Sequence, residues 1–209
     1  MPKKEENVWN RFSSVYDRFM KKDETAYQDV IQRIVRELNP EDHVLEIATG
    51  TGIIALGLAH HIKCIEAIDF APDMIKAACK KSKQSYVTNI NFSVTNAYDL
   101  PYASDSFDAV IIANTLHIMP NPKKALAEIR RVLKTNGLLF APTFIHAGSK
   151  KAAILSQLMS LTGFRTYHKW TMMSFQAFLE ENGFSIVDSS LIKASFPLAY
   201  VVAKESETL

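Results

Sequence analysis

Between residues 43 and 143, short apolar runs alternate with stretches whose apolar positions recur every three or four residues. His43 to Ile47 reads as a strand running into a glycine turn, and Ile53 to His61 is apolar at helical spacing. Cys64 to Ile68 is a second strand. Pro72 opens a helix at its first turn, where the missing N–H is not needed, and this helix runs to about Gln84. Asn91 to Val94 and Phe107 to Ile112 are a third and a fourth strand. Pro122 opens another helix, which ends near Leu133 ahead of the stop signal Asn136-Gly137, and Leu138 to Pro142 is a fifth strand. This alternation predicts an α/β fold, a doubly wound parallel sheet with helices on both faces.

Two segments flank this pattern. Before it, Trp9, Phe12, Tyr16 and Phe19 fall at helical spacing, and a second helix at about Thr25 to Leu38 has Thr25 and Gln28 in capping-box spacing. After it, Lys150 to Leu161 and Ser174 to Glu181 read as helices, the second closed by Asn182-Gly183. Ser185 to Lys193 and Phe196 to Ala203 are strand runs with almost nothing between them, so they form an antiparallel pair. No repeat, linker or low-complexity tract divides the chain. It reads as one domain over 1–209, with an N-terminal helical part (1–38), a core (39–143) and a C-terminal part (144–209).

Composition narrows the class without changing this picture. With 47% hydrophobic and 22% charged residues among 209, the chain is globular and long enough for a core without disulfides. A net charge of +2 with mixed signs gives no reason to expect nucleic acid as a partner. Lys80, Lys81 and Lys83 read as a solvated helix end. Cys64 and Cys79 sit in segments that look buried or half-buried and read as plain thiols of a reducing compartment, with no metal-ligand spacing around them. The charged start of the chain has no signal-like apolar core, and no apolar run approaches the roughly 18 residues of a spanning helix. The expectation is a soluble, cytoplasmic protein whose oligomeric state the sequence does not indicate.

The chemistry concentrates in Val44-Leu45-Glu46-Ile47-Ala48-Thr49-Gly50-Thr51-Gly52, a strand that enters a glycine turn and then a helix. Glycines let the backbone approach a ligand closely, and the following helix presents free N–H groups. Ala67-Ile68-Asp69-Phe70 ends the next strand in an acid placed to accept both hydroxyls of a ribose, or simply to cap the helix opened by Pro72. So far nicotinamide dinucleotide and S-adenosylmethionine both fit. The later segments separate them: Asn96-Ala97-Tyr98-Asp99-Leu100-Pro101, Ser104 to Val110, Leu116-His117-Ile118-Met119-Pro120-Asn121-Pro122, and Glu128 to Lys134 with Gly137. With these the chain resembles class I S-adenosylmethionine-dependent methyltransferases of the small-molecule branch, the group containing the ubiquinone and menaquinone biosynthesis methyltransferases. The resemblance covers roughly residues 10 to 143.

The resemblance implies a seven-stranded, mostly parallel sheet closed by a C-terminal antiparallel pair, an N-terminal helical lid and a small helical insertion before the last helix. It implies that Glu46 orders the glycine turn and helps seat the methionine end of the cofactor. Gly50 and Gly52 would be the turn glycines, Asp69 the ribose acid, and Phe70 the residue beside adenine, with Met74 also on the cofactor side. Asn96 stands where an aspartate usually bonds the adenine amino group, and an amide oxygen can accept the same bond. Ala97 would offer backbone beside the ring, and Asn114 would meet the methionine moiety. Ala48 stands where the family usually has glycine, which restricts the backbone if φ is positive there.

Methyl transfer from a sulfonium needs positioning and exclusion of water, and no metal. No metal-binding cluster is visible in the sequence. Tyr16, beside Asp17, is the lid residue that the resemblance implies, counted among both the catalytic and the cofactor-binding groups, with Phe12 and Phe19 as pocket wall; the alternative is an amphipathic helix packing on the core. His117 and His146 follow strands at the edge where ligands bind in this fold and are the candidate bases, against a structural role. Tyr167, His168 and Trp170 lie in the inserted segment that would set specificity, while Phe164, Met172 and Met173 read as packing. The expected activity is methylation of an apolar or amphipathic small molecule, leaving S-adenosylhomocysteine. A non-catalytic scaffold, another use of S-adenosylmethionine and an NAD-dependent oxidoreductase are the rivals. The last lacks a tyrosine-x-x-x-lysine pair and room for a second nucleotide half.

Overall fold

The structure is a computed structural model that describes residues 3–145 and 166–206. Helix α1 (Lys3–Met20) passes through a 3-10 turn (Lys21–Asp23) into α2 (Glu24–Glu37). Then come β1 (His43–Ile47), α3 (Ile53–Leu58), β2 (Cys64–Asp69), α4 (Pro72–Gln84), β3 (Ile90–Val94) and β4 (Phe107–Ile112). A 3-10 turn (Leu116–Ile118) leads to α5 (Pro122–Val132), β5 (Leu133–Phe140) and β6 (Thr143–Phe144), and the chain closes with α6 (Met172–Glu181), β7 (Phe184–Ile192) and β8 (Leu198–Glu205). The helix expected at 150–161 lies outside the described residues.

The strands form one sheet in the order β3-β2-β1-β4-β5-β8-β6, with β7 also paired to β8. β1 to β5 are parallel and β8 is antiparallel to its neighbours. Among the described residues the sheet thus counts eight strands where seven were expected. The extra one, β6, continues the line of β5 along β8 after a break at Ala141-Pro142, where proline has no N–H to give the ladder. All of Leu198 to Ala203 in β8 is buried, since strands flank it and side chains cover both faces. One face of the sheet packs α2 and α3 through Val30, Ile31, Ile34, Ile54 and Leu58. The other packs α5 and α6 through Leu126, Ile129, Val132, Phe175 and Leu179.

Two local signals were spent differently from expectation. Helix α2 begins at Glu24 with Asp23 at its N-cap position, so Thr25 lies inside the helix and the Thr25–Gln28 spacing does not cap it. Asp23 instead accepts the Ser195 N–H at 2.6 Å, tying the start of α2 to the β7–β8 connection. Helix α5 stops at Val132 and passes directly into β5, so Asn136-Gly137 is not its stop. Asn136, at φ +66°, lies where the β4–β5 register shifts and makes an irregularity within the strand. Helix α6 has a capping box of its own, in which Thr171 and Ser174 exchange side-chain and backbone bonds.

Candidate active site

β1 lies between β2 and β4, so the chain reverses its direction of winding there and the carboxyl ends of these three strands frame a crevice. Three alternate residues after β1 have positive φ: Ala48 at 57°, Gly50 at 56° and Gly52 at 79°. A Cβ at Gly52 would also come within 3.2 Å of Phe92 and 3.3 Å of Ala78, so both conformation and space demand glycine. The turn is tied down by two buried acids. Glu46 accepts the Thr49 hydroxyl at 2.6 Å and the Ala55 N–H at 3.0 Å, both on Oε2. Asp69 accepts the Gly50 N–H at 2.9 Å on one oxygen and the Ala71 N–H at 2.9 Å on the other, bridging the β1 and β2 turns. Burial pushes Glu46 up to about 7 and Asp69 up to about 6, against the pull of these hydrogen bonds.

Ala48 is held in the left-handed region that alanine pays to enter, at about 1–2 kcal/mol. Ala48→Gly relieves that strain and adds back some unfolded-chain entropy. A net gain of about 0.5–1 kcal/mol is expected, read as a thermal midpoint higher by about 1–3 °C. A lower midpoint would mean that the alanine methyl contributes packing that outweighs the strain.

Helix α1 lies across this crevice. The Tyr16 ring is 3.7 Å from the Cβ position of Gly50. Asp17 accepts the Thr51 hydroxyl at 2.6 Å and the Lys81 ammonium at 3.0 Å, so Lys81 is a partner of α1 as well as part of a basic helix end. Asn10 accepts the Asp73 N–H at 3.0 Å and so caps α4 from another helix. Trp9, Phe12, Tyr16 and Phe19 contact one another edge to face at 5.7–6.5 Å. These rings form one wall of a cavity completed by Tyr27, Asn114, His117, Phe144, His168 and Trp170. The His168 ring stacks on Trp170 at 5.0 Å.

The predicted residues divide as follows. Glu46, Ala48, Gly50, Gly52 and Asp69 meet at the turn. Phe70 is half-buried just beyond Asp69, and Met74 is buried in the first turn of α4. Asn96 is exposed beside β2, where the adjacent Thr95 N–H donates to the Asp69 carbonyl; its Oδ1 accepts the Tyr98 N–H at 3.1 Å. Ala97 packs on the α5 side of the core. Asn114, at φ +51°, donates to the Tyr27 hydroxyl at 2.7 Å and accepts the Phe144 N–H at 2.9 Å. His117 is buried on the cavity, and its carbonyl accepts the N–H groups of Tyr167 and His168 at 3.0 Å each. Tyr16, expected among the catalytic groups, has its hydroxyl pushed well above the tyrosine range by burial and by Tyr27, Asp69 and Glu46. It therefore stays protonated. His146 and Phe164 lie outside the described residues.

Three expectations need correction. Met173 is 80% exposed, since it sits on the outer face of α6's first turn while Met172 turns inward to the core. Cys64 is exposed, because it begins β2 at the rim of the sheet. Tyr167 is 40% exposed and is not part of the cavity wall. Sequence reasoning missed Tyr27, which shares the apolar stripe of α2 with Val30, Ile31 and Ile34. Only the fold carries its hydroxyl to Asn114 and into hydrogen bonding with Tyr16.

Residues 45–141 match the protein family described as methyltransferase domain. The chain is 33% identical over 145 residues to the demethylmenaquinone methyltransferase of Alkalihalophilus pseudofirmus, which covers 64% of this chain and 61% of that protein. It is 36% identical over 102 residues to the ubiquinone/menaquinone biosynthesis C-methyltransferase UbiE of Geotalea daltonii, which covers 47% of this chain and 43% of that protein. It thus spans less than two thirds of the length of either relative. A SAM-dependent methyltransferase structure from Methanosarcina mazei shares the fold, with a TM-score of 0.72 at 20% identity over 84% of this chain and 98% of that one. Residues 45–141 thus carry a methyltransferase domain, and the chain resembles the ubiquinone and menaquinone biosynthesis methyltransferases.

Proposed function

We propose that this protein transfers the methyl group of S-adenosylmethionine to a small apolar or amphipathic acceptor by in-line displacement, leaving S-adenosylhomocysteine. The observation that carries this reading is that Tyr16 belongs to two places at once: it lies over Gly50 of the turn and lines the aromatic cavity. A cofactor at the turn and an acceptor in the cavity would then meet beneath one ring. The residues fit the cofactor chemically. The Asp69 oxygens hold the Gly50 and Ala71 N–H groups, one each, and a carboxylate has further lone pairs for ribose hydroxyls. Phe70 supplies an apolar surface for adenine, with Asn96 as the acceptor for its amino group.

When bound, the cofactor supplies an activated methyl on a cationic sulfur. This chain's own residues then position and shield. The faces of Trp9, Phe12 and Tyr16 would favour a cation, and the rings together would exclude water. Tyr27 and Asn114 fix the β4 end that would contact the methionine moiety. His117 lines the cavity and would take the proton of a hydroxyl or carbon acid, and His146 is the second candidate. The relatives are named for quinone biosynthesis, and an aromatic-lined cavity suits a planar ring of that kind. The location proposed is the cytoplasm; among the described residues, no helix is long and apolar enough to cross a membrane.

Calorimetry with S-adenosylmethionine, S-adenosylhomocysteine and NAD tests the reading. Binding of the first two and not the third is expected; binding of NAD alone would transfer the site to a dehydrogenase, and binding of none would favour a scaffold. The lid makes a separate prediction. Amide exchange over residues 6–20 should slow when S-adenosylhomocysteine binds, because ligand contacts would add to the Asp17–Thr51–Lys81 latch. Unchanged exchange with bound ligand would leave α1 a packing helix.

A further inference from the structure

The pole of the sheet opposite the glycine turn carries a second convergence of side chains. β1 and β2 pair with His43 directly opposite Cys64 in register. Glu66 lies two residues further along β2 and so shares a face with Cys64. A ring nitrogen of His43, the Cys64 sulfur and a carboxylate oxygen of Glu66 all lie within 4.8 Å of one another. The neighbours hold this arrangement. Phe107, fully buried, packs the His43 ring at 4.6 Å and the Tyr102 ring at 4.9 Å. Glu66 Oε2 accepts the Asn91 amide at 2.8 Å and the Tyr102 hydroxyl at 3.4 Å. The His43 backbone N–H donates to Asp108 at 2.9 Å, and Asp108 is paired with Lys134.

We propose that His43, Cys64 and Glu66 form a binding site for one divalent cation of the zinc class. An imidazole nitrogen, a thiolate and a carboxylate are the donor set that selects zinc or cobalt over magnesium and calcium. With bonds of about 2.0–2.3 Å, tetrahedral donors stand about 3.3–3.7 Å apart, so side-chain rotation at this open rim closes the site. Binding forms the metal–sulfur bond and releases the Cys64 thiol proton to water. Thiolate and carboxylate then balance the charge of the cation. Asn91 and Tyr102 both bond Oε2 and hold the Glu66 carboxylate, whose other oxygen would take the cation. The fourth position is left to solvent. The site would clamp the amino ends of the two strands whose carboxyl ends carry Glu46 and Asp69, and it does not depend on the methyl-transfer reading.

The test is titration of the chelator-treated full chain with Co²⁺ alone and then with Zn²⁺ alone. Binding at a single site is expected, with thiolate-to-cobalt charge-transfer absorption that Zn²⁺ abolishes and a higher thermal midpoint in saturating Zn²⁺. Cys64→Ser and His43→Ala should each lose that absorption and weaken Zn²⁺ by roughly tenfold or more, while Cys79→Ser keeps both. Far-UV circular dichroism establishes that each variant is folded. Should Cys64→Ser not fold, His43→Ala and Glu66→Gln decide by the same readouts. Absence of a charge-transfer band in the parent chain overturns the site, as does a band lost with Cys79→Ser. So does Zn²⁺ affinity that is unchanged in the folded variants.

Discussion

Asp69→Ala is expected to abolish measurable binding of S-adenosylmethionine and S-adenosylhomocysteine, a loss of more than about 100-fold by calorimetry. The carboxylate does two jobs that alanine cannot do. It satisfies the N–H groups of Gly50 and Ala71, and leaving either buried without a partner costs about 1–3 kcal/mol. It also supplies the charged acceptors proposed for the ribose, worth about 1.5–3 kcal/mol for each bond. Asp69→Asn, which keeps one acceptor oxygen and loses the charge, should fall between the two. Folding stability should suffer less than ligand affinity near neutral pH, because removing a carboxylate that burial already disfavours returns part of the loss. A folded Asp69→Ala protein that binds the cofactor with parental affinity would move the site elsewhere.

Cofactor affinity should also rise between pH 5 and pH 8. Asp69 titrates at about 6 and Glu46 at about 7 in the ligand-free protein, both displaced upward by burial. A ligand carrying a cationic sulfur and an ammonium favours the ionised forms, so below these values binding must first expel protons. Affinity should then fall by roughly tenfold per pH unit for each group that has to ionise. Calorimetry in buffers of different ionisation enthalpy would show proton release near pH 6.5, and Glu46→Gln should remove the upper part of the dependence. A pH-independent affinity would mean that neither acid changes state on binding.

Stability of the free protein should run the other way. Both folded values lie above the unfolded ones, so the contribution is fully present below the ordinary carboxylate range and is lost as pH rises through about 6 and about 7. The amount is on the order of 3 kcal/mol for each group, so the ligand-free thermal midpoint should be higher near pH 5 than near pH 8. On the acid side the balance reverses. Asp108, despite the upward push of burial, is held low by Lys134, and Glu128 is held low by Arg131. Their contributions disappear as pH falls below the carboxylate range.

Hydrophobic periodicity along the chain determined the α/β class. It also placed β4 at Phe107 to Ile112 and α4 at Pro72 to Gln84 to the residue, because period and proline are local signals. The glycine turn and Asp69 were legible for the same reason: a strand, a tight turn and an acid at a strand end are written in consecutive residues. What lay beyond reach depended on residues far apart in sequence. The Thr25–Gln28 box was a local signal that failed because the helix begins one residue earlier, at Glu24, where Asp23 ties the chain to the β7–β8 connection. Whether Ala48 would be strained depended on the path of the whole turn, and the structure puts it at φ +57°. Tyr27 looked like one more apolar position on α2 until the packing of α2 on the sheet carried its hydroxyl to Asn114, 87 residues away. His43, Cys64 and Glu66 have no metal-ligand spacing in sequence; parallel pairing of β1 with β2 alone sets them side by side. The sequence by itself thus determined the elements and the cofactor turn, which short-range sterics and burial dictate. Only the tertiary structure decided which distant polar groups meet, since strand register and helix packing alone bring such groups within bonding distance.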